Sequence, residues 1–218
     1  MATYSIRVLN NSGFTKNYVI FMEPPIVTNK GANPEVYTNA WVTFSGVQPG
    51  GVDVVNYTDE TSALWSRATT AVAPGTTVGQ YGTILVDTAT QDSVTFIGSS
   101  QNTGFTNLVH SGAMTGSYAI IANSDFDSSA GYLFGLARPG NIPGIPSPVA
   151  TFLAEPNGTY NITPVEKFYI AEGVYTPGSI IDVSTVSTVS LEIDFTGKSQ
   201  VASVVTQASN GSFSAVYY

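Results

Sequence analysis

The chain has 218 residues, no cysteine, and a formal net charge of -8 from 7 Lys+Arg against 15 Asp+Glu. A cysteine-free chain has no disulfide framework, no thiolate metal site and no cysteine nucleophile. An acidic one lacks the basic footprint that phosphate neutralisation needs, so nucleic acid is not an expected partner.

Charged residues make up only 10% of the sequence, against about 25% in an average soluble domain. Polarity is carried by Ser, Thr, Asn, Gln and Gly. The length suits one all-β domain over residues 1–218, since sandwiches and barrels often reach about 200–250 residues as one unit.

The first element, Tyr4-Ser5-Ile6-Arg7-Val8, alternates as a strand. The start has no basic stretch followed by an apolar one, so no signal peptide is expected in this chain. The expected location is cytoplasmic, or outside by a non-classical route. Residues 17–22, Asn-Tyr-Val-Ile-Phe-Met, form a continuous apolar run. They read as a central strand buried on both faces. Further strands are expected near 35–45, 52–57, 82–87, 93–98, 116–122, 131–137, 149–154, 159–163, 167–172, 179–183, 187–195, 200–206 and 212–218. The rule is short β-branched and aromatic runs between Gly, Pro, Asn and Asp clusters.

Asp59-Glu60-Thr61-Ser62-Ala63-Leu64-Trp65-Ser66-Arg67-Ala68 opens with acids suited to a helix start, which predicts a helical turn or two, or an irregular loop. Residues 138–148 carry four prolines between 139 and 148. Proline lacks the ladder donor, so this segment is expected to form a long loop outside any sheet. Pro156-Asn157-Gly158 and Asn210-Gly211 are hairpin signals. In residues 187–195, Val189, Leu191, Ile193 and Phe195 should face inward. No 18-residue apolar window exists, so no membrane-spanning helix is expected.

The chemistry-bearing residues are few. His110 is the one histidine, and no Gly-x-Ser-x-Gly elbow accompanies it; a structural or polar role is expected. Glu23 and Glu155 each precede a proline after an apolar strand, where a carboxylate could reach a ligand. Asn123-Ser124-Asp125-Phe126-Asp127 spaces oxygen ligands in alternation, yet Ser128 and Phe134 stand where a calcium loop needs Gly and Glu. An Asx-rich turn is the better reading, and no metal is expected. Glycine-rich phosphate loops are absent, so no cofactor is expected.

These features predict an antiparallel β-sandwich, Greek-key or jelly-roll-like, with a closed β-barrel as the alternative. Connections too short for helical crossovers argue against parallel pairing. The expected function is non-catalytic binding of a neutral small-molecule or glycan ligand, lectin-like, through loop residues Asp59, Trp65, Arg67 and Arg138. Two other readings stay open. One is a structural or homo-oligomeric subunit whose terminal strand, ending in Tyr217-Tyr218, pairs with a neighbour. The other is a cofactor-free isomerase or cyclase with a closed Tyr/Phe-lined cavity.

Overall fold

Alternating apolar positions build strands that bury one side, and the computed structural model describes them over residues 3–30, 33–99, 101–186 and 190–218. Strand β1 spans Thr3–Asn10, β2 Lys16–Met22, β3 Ile26–Asn29, β4 Val36–Thr38, β5 Val42–Val47 and β6 Val52–Thr58. Then follow β7 Thr61–Arg67, β8 Gly82–Val86, β9 Ser93–Ser99, β10 Asn102–Val109, β11 Tyr118–Ala122 and β12 Tyr132–Pro139. The last six are β13 Pro146–Leu153, β14 Thr159–Thr163, β15 Lys167–Glu172, β16 Leu191–Asp194, β17 Ala202–Gln207 and β18 Phe213–Tyr217. Among the described residues, helix is confined to a 3-10 turn at Ser128–Ala130 and a single turn, α1, at Val183–Val186. Among the described residues, no helix is long and apolar enough to cross a membrane.

The strands form four sheets, ordered β18-β17-β1-β6, β16-β15-β2-β5, β10-β9-β11-β14-β3 and β4-β13-β12-β7-β8. None closes into a barrel, and the architecture is that of a β-sandwich. Pairing is mostly antiparallel. Two parallel pairs, β1 with β17 and β9 with β11, correct the expectation that parallel neighbours are absent. Neither needs a helical crossover. The return from β9 to β11 is made by hairpin partner β10 and a loop, and β1 meets a strand from the far end of the chain.

Aromatic contacts show which sheets face one another. Tyr18 meets Phe213, Tyr57 meets Phe168 and Tyr4 meets Phe195, joining the β1 and β2 sheets. Phe96 and Tyr160 meet Phe134, joining the β9 and β12 sheets. One cluster of buried side chains draws on all four sheets. Strands β4 and β5 tie the two halves together. The amide of Asn39 donates to Val149 beside β4, and that of Trp41 to Ile20 beside β5. Strand β2 is buried on both faces as expected. Tyr18, Ile20 and Met22 enter the main core, and Val19 and Phe21 enter a second cluster with Ala40, Ala171, Ile181 and Val186.

Several expectations fail for identifiable reasons. Residues 61–67 are strand, not helix, held between β12 and β8. Ala63 faces the main core, while Leu64 packs on the other side with Val78, Leu133 and Ala137. A strand covered on both faces loses its polar alternation. The proline-rich segment is not a loop outside the sheet. Arg138 pairs with Ser147 and Pro139 with Pro146 in the β12–β13 hairpin. The prolines fit because the register slips between Leu136 and Ala137, beside Pro148, and because β4 covers β13 only at Ala150–Phe152.

Asn157-Gly158 turns the chain from one sheet to another rather than closing a hairpin: β13 and β14 belong to different sheets. Asn210-Gly211 does close the β17–β18 hairpin. Residues 179–183 make only isolated bridges, Asn39 to Ile180 and Thr77 to Ser179. Val189 lies outside the described residues, and Ile193 and Phe195 are buried as expected.

Candidate functional site

Strand β6 ends at Thr58, the chain turns at Asp59-Glu60, and β7 enters a different sheet. A sandwich whose sheets change partner at such a crossing leaves a seam, and here the seam opens as a half-open cleft of about 610 Å³. One wall is aromatic. Tyr4 stacks on Tyr57 at 5.3 Å with 19° between the rings, and Phe195 leans on Tyr4 at 5.3 Å. The lining also carries the polar residues Asp59, Asp87, Thr88 and Lys198.

Arg138 lies at the floor. In β12, Phe134 and Leu136 face the main core, so the strand's alternation aims Arg138 inward as well. Its side chain is 1% exposed. Nη2 donates to Oε1 of Glu166, whose side chain is 48% exposed. Nε and Nη1 are buried and find no partner. A buried donor without an acceptor costs about 1–3 kcal/mol, and more when charged; among the described residues the other buried side-chain atoms without a partner are the hydroxyls of Ser5, Thr58 and Ser203, so Arg138 is the charged one.

The neighbouring phenols remain neutral. Burial pushes the Tyr57 hydroxyl far above its ordinary value of 10.0, with Glu166 adding to the rise and Arg138 opposing it. Burial does the same to Tyr118, again opposed by Arg138. With Arg138 and Lys198 against Asp59, Asp87 and Glu166, the lining holds two cations and three carboxylates. It has donors, acceptors and ring faces with little net charge.

Of the four residues singled out from the sequence, Asp59 and Arg138 share this cleft. Trp65 and Arg67 lie elsewhere. Trp65 is half-buried against Phe96 and Tyr132. The Arg67 Nε donates to the Ala130 carbonyl at 2.9 Å, and its guanidinium sits 5.6 Å from the centre of the Tyr132 ring. Tyr4, Tyr57, Phe195 and Glu166 had no distinguishing sequence signal; the rings read as ordinary core. A cation on the inward parity of an apolar strand, as Arg138 is, was the signal available.

The remaining candidates have local partners. His110 Nδ1 lies 2.6 Å from Asp92 Oδ1. Burial alone would raise the Asp92 carboxyl, but hydrogen bonds from His110, Thr90 and the Asp87 amide together hold it below an ordinary aspartate. Glu23 accepts from Tyr169 at 2.7 Å, and Glu155 accepts from Ser128. Asp125 accepts the amides of Gly98 and Ser99 at the end of β9, a contact between segments far apart in sequence. No group of three or more His, Cys, Asp or Glu that could hold a metal occurs among the described residues.

A family model described as RhiA matches residues 1–216. No curated protein and no solved structure matches the chain.

Proposed function

The chain belongs to the RhiA family, and from the geometry of its cleft we propose that it is a non-catalytic binding protein for a neutral, carbohydrate-like ligand. The observation that carries this reading is Arg138, buried at the cleft floor with Nε and Nη1 unpaired. Ligand oxygens that displace the half-exposed Glu166 side chain replace its bond to Nη2 and bring acceptors to the neighbouring unpaired donors. The partly exposed Tyr4 ring, backed by the buried Tyr57, offers an apolar surface to a sugar ring, and Asp59 accepts from its hydroxyls. With carboxylates outnumbering cations in the lining, a neutral ligand fits better than an anion.

An isomerase-like reading needs a closed cavity that excludes water, and this cleft is open to solvent. For the assembly reading, β18 pairs with β17 of its own chain and stands at the edge of its sheet; a monodisperse monomer at high concentration in light scattering is the outcome that removes it.

Glycan-array screening followed by calorimetry tests the proposal. A neutral glycan should bind, and Asp59→Ala and Tyr4→Ala should each weaken it by about tenfold, the scale of one charge-assisted hydrogen bond. Silence across the array with folded protein overturns the reading. So does binding that neither substitution affects.

A further inference from the structure

The cleft does not end at its own rim. A second depression of about 420 Å³ shares Asp59, Thr61, Asp87 and Thr88 with it. A third, of about 310 Å³, shares Glu60 and Leu85 with the second and reaches Ile145 and Pro146 on the β12–β13 hairpin. The three are strung along one strand. Thr83, Leu85 and Asp87 have the same parity on β8 and its C-terminal extension, and they line the third, the second and third, and the first and second depressions respectively. A side-chain period of two puts them on one face. From Asp87 to Thr83 is four residues, about 13 Å at about 3.3 Å per residue.

Two further features mark this stretch as a track for a ligand. The side chains of Asp59 and Glu60, at the joints between depressions, make no hydrogen bond or ion pair among the described residues, so their carboxylates are available as acceptors. Leu85 is 59% exposed and Ile145 is 51% exposed, on a strand and on a hairpin flanking the same groove. Apolar patches alternating with free acceptors suit the alternating ring faces and hydroxyl edges of a linear glycan.

We infer that the cleft is the end subsite of a continuous groove along β8 that binds a linear, neutral oligosaccharide several units long. The inference rests on the carbohydrate reading above. A single sugar occupies the Arg138 cleft, and each added unit extends past Asp59 and Glu60 toward Leu85 and Ile145.

Calorimetric titration with cello-, xylo- and manno-oligosaccharides of one to six units separates the two ideas. In the series that binds, affinity should rise at least about tenfold between one unit and five, one decade per 1.4 kcal/mol. Leu85→Arg, at an exposed position that tolerates a long side chain, should bring that ratio close to one. Glu60→Ala is a second, smaller change that should reduce it. Affinity that does not change with length, or a ratio that survives both substitutions, overturns the groove and leaves the cleft standing. Failure of every series to bind removes the carbohydrate reading and the groove with it.

Discussion

Asp92 shows how a buried carboxylate becomes a structural tie. It accepts the Asp87 amide at 2.9 Å, the Thr90 hydroxyl at 2.7 Å and His110, and so closes the turn between β8 and β9. Because its folded pKa is lower than its unfolded one, it stabilises the fold above the unfolded value of about 4 and ceases to do so as pH falls through the folded value. Asp92→Ala should therefore lower stability by about 1–3 kcal/mol at neutral pH, with a smaller deficit in acid, measured by denaturant melts at pH 7 and pH 3. Glu166 has a different signature. It is paired with Arg138, and on the proposed binding reading it would compete with the ligand for that guanidinium. Glu166→Ala should tighten ligand binding in calorimetry while lowering the melting temperature, because a buried cation left alone costs about 3–5 kcal/mol. Gly135 is needed for steric reasons. A Cβ there would sit 2.0 Å from the Ala150 carbonyl oxygen, so Gly135→Ala should destabilise by about 3 kcal/mol, readable in a urea melt.

Among the elements, alternation was a good guide to strands with one face in water, and a continuous apolar run marked β2, which is buried on both faces. Strands β1, β14 and β15 alternate and were legible. Strand β7 was not, because a loop covers its outer face; Ser66 Oγ donates to Gly79 within that loop at 2.8 Å. Strand β10 escaped notice because Gly104 and Asn107, both at positive φ, interrupt an edge strand that is mostly exposed. The proline-rich hairpin was misjudged because local chemistry does not show which side of a strand lacks a neighbour. The cleft was half legible. Asp59 and Arg138 stood out as polar residues in unusual segments, whereas the ring wall depends on sheet-to-sheet packing that no local pattern encodes. The polar tie between two sheets is of the same kind. Tyr18 donates to Gln207 at 2.8 Å, and Gln207 donates to Glu172 at 2.8 Å. Tyr18→Phe leaves the Gln207 oxygen buried and unpaired and should lower stability by about 1–3 kcal/mol, checked by thermal unfolding.

For the molecule as a whole, topology dictates when the structure can form. Ser5 pairs with Ala202, so although β1 can pair with β6 early, its sheet is not complete until the seventeenth strand arrives. Non-local pairing of this kind slows folding to about milliseconds to seconds or longer, and stopped-flow refolding should show it, with no fast phase completing the β1 sheet. The same pairing sets the geometry of the chain ends. Strands β1 and β18 flank β17, Ser5 donates to Val201, and Tyr218 donates to Ala202. Thr3 and Tyr218 therefore emerge on the same side, two strand spacings apart, about 10 Å. A short glycine bridge between them, with the chain reopened at the exposed turn Ser209–Gly211, should give a circular permutant that keeps every sheet. For the same reason, cargo fused to either end would hang from one pole of the particle.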